Sequence, residues 1–367
     1  MKRSKEGLVM EPTISLDDVR IYKELDLGGM IEAVEGFPDQ CLEARRLASE
    51  PGALPYPEEI REIAILGMGG SAIGGDVIRV LLEEEIRRRI NVHRGYRLPG
   101  FYAQETLVFA VSYSGNTEET LSAVEQAAAQ GCRIVALTSG GSLLAMARDR
   151  DWPAVEVPMG MQPRAALAYL TIPIAVVMER IGLVSSFSQQ LEEAVESMRK
   201  RVSCWGRIQP QEQNFAKQLA ARLCGKIPVV YGTEGPLSVA AYRWKCQFNE
   251  NSKSPAFHHV LPEMNHNEVV GWDRLDDFTR RVEAIFLVDE EGDARMIRRV
   301  EITSELIKEN LGGVSVVHVR GNSPVEKLFV SILLGDFVSV YLALLRGKNP
   351  TPVEKISELK EQLSTPG

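Results

Sequence analysis

The chain has 367 residues, 44% of them hydrophobic and 25% charged, with a formal net charge of -8. Such length and composition suit a soluble globular protein of two domains. The acidic balance, with no basic stripe, argues against a nucleic-acid partner, and an anionic ligand has to be drawn in by local dipoles rather than by the overall field.

Five cysteines (Cys41, Cys132, Cys204, Cys224, Cys246) form no C-x-x-C pair, which fits free thiols in a reducing, cytoplasmic setting. The start, Met1-Lys2-Arg3-Ser4-Lys5, is basic, but no apolar run follows it, so no signal peptide is expected. In chain order, residues 1–59 read as an N-terminal helical arm that ends in a proline-rich turn at Pro51, Pro55 and Pro57. Residues 60–185 alternate: a strand at Ile63–Leu66, a helix from Ile73 to Glu85, and a weaker strand near Ile90 to Tyr96. Strands at Thr106–Ser112 and Arg133–Thr138 follow, with helices at Thr117–Gln130 and Leu143–Arg148. A long helix starts near Pro163, where proline suits a first turn. Its apolar stretch, Ala165 to Met178, is interrupted by Pro173 and too short for a bilayer, so it reads as buried and no membrane contact is expected.

Helices over residues 186–222 link this region to a second alternating one, residues 223–320. There, strands at Ile227–Gly232, Val282–Asp289 and Val314–Arg320 are separated by helices from Leu237 and from Asp293 to Asn310. Residues 321–367 close the chain with helices at Pro324–Arg346 and Val353–Leu363. Strand and helix alternating at this spacing predict an α/β protein with two doubly wound parallel sheets flanked by helices.

Two loops of the first half carry chemistry. Gly67-Met68-Gly69-Gly70-Ser71-Ala72-Ile73-Gly74-Gly75 follows a strand and opens a helix, where free N–H groups and the helix dipole favour an anion. It also matches the dinucleotide pattern G-x-G-x-x-A, but the next strand carries His93 and Arg94 instead of the acid that would hold a ribose. No G-x-x-x-x-G-K-[ST] is present, which removes the P-loop reading. The second loop, Ser112-Tyr113-Ser114-Gly115-Asn116-Thr117-Glu118-Glu119-Thr120, brings the hydroxyls of Ser112, Ser114 and Thr117 to one helix start. Helix capping by Asn116 or Thr117 accounts for one such hydroxyl, whereas a phosphate monoester uses all three. The two loops therefore predict a phosphate cradle at the carboxyl edge of the sheet, formed by Gly69, Gly70, Ser71, Ser112, Ser114 and Thr117.

These two loops resemble the sugar isomerase (SIS) domain. The resemblance extends to Pro163-Arg164, to Asn249-Glu250-Asn251-Ser252-Lys253, to Pro262-Glu263-Met264-Asn265-His266-Asn267-Glu268 and to Pro350-Thr351-Pro352-Val353. Together they are similar to the bifunctional phosphoglucose/phosphomannose isomerases of archaea and bacteria. That resemblance implies two SIS domains and interconversion of glucose 6-phosphate, and mannose 6-phosphate, with fructose 6-phosphate through a cis-enediol(ate). It implies Glu250 as the base, His266 as the ring-opening group reaching across a homodimer, and Arg164 as the cation steadying the enediolate. It also implies an assisting lysine, matched to Lys360, and a polar specificity residue, matched to Thr351, with Val353 as the other position available. No cofactor is implied.

A metal reading stands beside this one. His259, Glu263 and His266 fall at i, i+4 and i+7, but Pro262 would break the helix needed to join them, so no metal ligand set is expected. His258 and His259 read as loop residues, and His93 and His318 as ordinary strand residues. Two other functions use the same loops: a non-catalytic phosphosugar sensor, which needs no base, and an isomerase of another sugar phosphate.

Overall fold

The computed structural model describes residues 14–49 and 52–364; the basic start and Pro51 lie outside them. In chain order the elements are α1 (Arg20–Leu25), α2 (Met30–Glu35), α3 (Phe37–Leu47), β1 (Glu62–Leu66), α4 (Gly70–Leu82), β2 (Arg89–His93), β3 (Thr106–Val111) and α5 (Glu118–Ala129). Next come β4 (Arg133–Thr138), α6 (Gly141–Asp149), β5 (Ala154–Glu156), α7 (Leu167–Arg180), α8 (Phe187–Trp205) and α9 (Phe215–Leu223). The rest are β6 (Ile227–Thr233), α10 (Pro236–Glu250), β7 (Phe257–Leu261), β8 (Val282–Asp289), α11 (Ala294–Ile307), β9 (Gly313–Val319), α12 (Pro324–Leu345) and α13 (Glu354–Ser364). They fall into two compact units, one from the described parts of 35–200 and 321–330, the other from the described remainder.

The first of these units holds a five-stranded sheet in the order β2-β1-β3-β4-β5, with every pairing parallel. The second holds a four-stranded sheet in the order β7-β6-β8-β9, again all parallel. Central strands buried on both faces read as apolar runs, and all six residues of β3 are buried. In each sheet the strand order reverses beside its first strand, between β1 and β3 and between β6 and β8. That reversal opens a crevice at the carboxyl ends of the strands, where α/β sheets take ligands.

Several boundaries differ from the sequence expectation. Helix α4 begins at Gly70, three residues before the expected Ile73, so Gly70, Ser71 and Ala72 join Gly74 and Gly75 in the helix. Packing accounts for Gly74 and Gly75. A Cβ on Gly74 would sit 2.8 Å from the Leu170 carbonyl oxygen and 2.7 Å from Thr171 Oγ1, and one on Gly75 would sit 2.9 Å from Ile65. Close approach of α4 to α7 and to the sheet, rather than to a ligand, fixes these two glycines. The helix expected from Pro163 is split into a 3-10 turn, Pro163–Ala165, and α7. Twelve of the fourteen residues of α7, Leu167 to Met178, are buried, as its apolar run implied.

Two edge strands escaped the sequence reading. Strand β5 has three residues, too few to show a period. Strand β7 carries His258 and His259, placed in a loop by sequence, in the run Phe-His-His-Val-Leu. An edge strand tolerates such polar residues because only one side of it is paired. Helix α12 is, among the described residues, the one helix long and apolar enough to cross a membrane; all of that apolar window is buried, so it is a core helix.

Candidate active site

The two loops expected to cradle a phosphate lie where β1 and β3 end. Gly69 sits at φ 52°, ψ -122°, just ahead of α4, with open space where a Cβ would be. Only glycine adopts that backbone without strain, and it lets a ligand lie against the chain. No described acceptor takes the N–H groups of Gly69 and Gly70, and no side chain caps α4. Ser71 is buried in the first turn of α4, its N–H donating to the Met68 carbonyl at 3.0 Å. The helix start thus has the composition and the geometry that suit an anion.

The second loop departs from the capping explanation. Thr117 stands at the N-cap of α5, yet it makes no side-chain cap. Its Oγ1 instead lies 2.9 Å from Ser112 Oγ. Asn116 is occupied as well: its Oδ1 accepts from Ser142 N at 2.9 Å and from Ser142 Oγ at 3.0 Å. Ser112 is fully buried, Thr117 half-buried and Ser114 exposed, so the three hydroxyls form a graded lining at an uncapped helix start. The sequence reading missed the brace behind them. Ser139, after β4, donates to the Tyr113 carbonyl from N at 2.9 Å and from Oγ at 2.6 Å, and Leu143 N donates to the Gly115 carbonyl at 2.9 Å. The Ser-Gly-Gly-Ser run at 139–142 was the available signal.

Arg164 lies in the 3-10 turn before α7, 3% exposed, with Nη1 3.4 Å from Gln162 Oε1. The end of β2 settles the dinucleotide question: the residue after His93 is Arg94, ion-paired with Asp76 of α4, so a cation stands where an acid would hold a ribose.

Glu250 is the last residue of α10 and lines a cavity of about 720 Å³. Asn249, Lys253, Ser254, Lys348, Val353 and Lys355 also line it. The turn that carries Glu250 is fixed from several sides. Lys253, at φ 52°, donates from Nζ to the Glu250 carbonyl at 2.5 Å and to the Pro350 carbonyl at 2.9 Å. A cation at a helix C-terminus also suits the helix dipole. Asn251 and Ser252 are fully buried; Asn251 Nδ2 donates to Ser339 Oγ at 3.0 Å and Ser252 Oγ to the Ser339 carbonyl at 2.6 Å. One turn earlier on the same faces of α10 and α12, Asp336 accepts from Arg243 Nη2 at 2.8 Å and from Gln247 Nε2 at 2.8 Å. A buried ion pair is stable only when its lone pairs and protons are matched in this way.

His266 ends the 3-10 turn Glu263–His266 and is exposed. Its neighbours in the motif are committed to the scaffold. Met264 is fully buried, Asn267 Nδ2 donates to Glu263 Oε1 at 2.9 Å, and Asn265 Nδ2 donates to Thr303 Oγ1 at 2.9 Å. Tyr231 OH donates to Glu268 Oε1 at 2.6 Å and itself accepts from Trp272 Nε1 at 2.8 Å. Burial and the Glu268 carboxylate push the Tyr231 phenol far up, so it stays a neutral donor. His259 lies on β7, before Pro262, so it shares no helix with Glu263 and His266. His266 does not line the Glu250 cavity.

Lys360 is exposed on α13 and does not line that cavity; Lys355, one turn earlier, does. Thr351 packs on Gly28, where a Cβ would run into its side chain, while Pro352 and Val353 line the cavity. Proximity to Glu250 thus singles out Lys253, Lys355 and Val353, positions visible in the sequence but indistinguishable there from solvated neighbours.

Comparison with known proteins agrees with this geometry. A family model described as the SIS domain matches residues 58–152, and one described as the bacterial phospho-glucose isomerase C-terminal SIS domain matches residues 212–363. The chain is 41% identical over 335 residues to a bifunctional phosphoglucose/phosphomannose isomerase of Caldicellulosiruptor bescii, covering 91% of this chain and 99% of the relative. It is 37% identical to the protein of that description from Aquifex aeolicus, covering 90% and 97%. A solved structure of a hypothetical protein from Thermus thermophilus superposes with a TM-score of 0.70 at 18% identity, covering 94% of this chain and 93% of that one, and shows the fold alone. With helix starts suited to phosphate, a glutamate on a braced turn at a cavity and relatives covered almost end to end at this identity, the chain belongs to the bifunctional phosphoglucose/phosphomannose isomerase family.

Proposed function

We propose that the protein is a metal-independent isomerase that interconverts glucose 6-phosphate and mannose 6-phosphate with fructose 6-phosphate. Gly69, Gly70, Ser71, Ser112, Ser114 and Thr117 take the phosphate. His266 protonates the ring oxygen as the C1–O5 bond breaks, and imidazole gives and accepts protons near neutral pH. The Glu250 carboxylate then removes the C2 proton. The C2–H electron pair becomes the C1=C2 bond, the carbonyl pair moves onto O1, and the resulting negative charge is balanced by Arg164. The O2 hydroxyl proton passes to O1, the O2 electron pair forms the C2=O bond, and the C1=C2 pair takes the proton back from Glu250 at C1, which gives the ketose. Lys360 assists from α13, and residues 351–353, Thr351 among them, set the preference between the C2 epimers.

The observation that carries this reading is Glu250 at a cavity of about 720 Å³, on a turn held by Lys253, Asn251 and Ser252. A sensor needs no such fixed carboxylate. NMR of fructose 6-phosphate incubated with the protein in deuterated water, with chelator present, tests it. Glucose and mannose 6-phosphates bearing deuterium at C2 are expected. Activity lost in chelator and restored by zinc would remove the metal-free mechanism.

The working form in this reading is a cytoplasmic homodimer in which His266 serves the partner's site. The exposed imidazole on a turn whose other polar groups are engaged supports it. Mixing inactive Glu250→Gln and His266→Ala chains under exchange conditions is expected to restore activity, and no recovery would count against sharing.

A further inference from the structure

Between the end of β5 and Arg164 the chain crosses the carboxyl edge of the first sheet in residues 157–162, which have no regular secondary structure. Such a stretch holds no fixed course unless its backbone groups find partners. One side chain supplies two of them. The Tyr113 OH donates to the Pro158 carbonyl at 2.8 Å and accepts from Met161 N at 2.9 Å. Tyr113 belongs to the hydroxyl loop itself, between Ser112 and Ser114, and is 7% exposed. Burial pushes its phenol up, so it remains neutral and able to donate. The first loop braces the same segment from another side: a Cβ on Gly70 would lie 3.1 Å from the Pro163 carbonyl oxygen and 3.4 Å from Arg164 N.

We propose that Tyr113 is a positioning residue that registers Arg164 against the phosphate loop. One phenol joins the loop that takes the phosphate to the segment that carries the cation, so their spacing is set by a single rigid ring with two hydrogen bonds. The ring is anchored in turn, because its own carbonyl accepts from Ser139 N and Oγ. The consequence for the reaction is a fixed distance between the bound phosphate and the charge that meets the enediolate. This rests on the reading of Arg164 as that charge.

Tyr113→Phe in the full chain removes the hydroxyl and keeps the ring. Its kcat for fructose 6-phosphate is expected to fall about tenfold, since small misplacements of a charged group are costly. The inhibition constant of inorganic phosphate should stay within about twofold, because the cradle hydroxyls remain. In an Arg164→Lys background the same change should cost less than about twofold more, the signature of two residues acting as one unit. Unchanged kcat, or an equal loss in both backgrounds, would overturn the proposal. Should Tyr113→Phe fold poorly, Ser139→Ala loosens the same ring from behind; a loss of kcat confined to the Arg164 background supports the proposal, and one independent of Arg164 overturns it. A fully active Arg164→Lys enzyme would instead overturn the role of Arg164 and the proposal with it, while the deuterium experiment tests the isomerase reading separately.

Discussion

The two units share a plan and use opposite ends of it. Each has a strand, a glycine at positive φ and a helix beside the point where strand order reverses. Gly69 at φ 52° precedes α4, and Gly235 at φ 84° precedes α10, neither helix having a side-chain cap. In the first unit the residues that lead into the helices are glycines and hydroxyls, with Glu118 and Glu119 following only in the first turn of α5. In the second they are Glu234, Gly235 and Pro236 after β6, and Asp289 at the end of β8 with Glu290 and Glu291 after it. Carboxylates there repel a phosphate, and the proline has no N–H to offer it. In the proposed reaction the second unit supplies its chemical group from the far end of α10, at Glu250, where Lys253 holds the turn. The difference teaches that a shared topology marks where ligands fit, while residue type at each helix end decides whether anything binds there.

The comparison breaks most sharply at Glu250. Glu250→Gln is expected to lower kcat by about 10²–10⁴-fold, the range for a general base, with phosphosugar binding kept. Steady-state kinetics and calorimetry check it, and full activity would leave the second unit without its assigned group. The support behind that residue comes next. Asp336→Ala strands Arg243, which is 1% exposed, without a carboxylate and should destabilise the protein by about 3–5 kcal/mol. Denaturant melts read that loss. On the first unit, Ser112→Ala with Thr117→Val deletes two cradle hydroxyls. It should weaken inorganic phosphate binding by roughly 10- to 100-fold, at about 1 kcal/mol or more per bond to a charged group. A larger effect on kcat than on binding would blur the division of labour between the two helix ends. The smallest change separates packing glycines from ligand glycines. Gly74→Ala should cost about 1–3 kcal/mol through overpacking against Leu170, with phosphate binding unchanged in the folded fraction.

Much of this was legible in the sequence, for identifiable reasons. Fully buried parallel strands are apolar runs, so β4 and β8 are found at the residues expected, Arg133–Thr138 and Val282–Asp289. Helix starts are marked by glycine and hydroxyl residues, which put the cradle loops after β1 and β3. At the edges the signal is weaker: β2 and β9 were read, but three-residue β5 and β7, with its two histidines, were not. Glycine has the same letter whether it frees a backbone or admits a neighbour, so the run at 67–75 does not by itself show that Gly74 and Gly75 accommodate α7 and the sheet.

By itself, then, the sequence determined the α/β class, the two parallel sheets and the anion-friendly helix starts, because these follow from periodicity and from the local chemistry of glycine and hydroxyl side chains. Only the tertiary structure decided that Thr117 bonds to Ser112 instead of capping α5, that Tyr113 ties the segment before Arg164, and that Lys355 rather than Lys360 lines the cavity beside Glu250. The first turns on how one loop folds back on itself and the others on contacts between residues distant in the chain, and no local pattern encodes either.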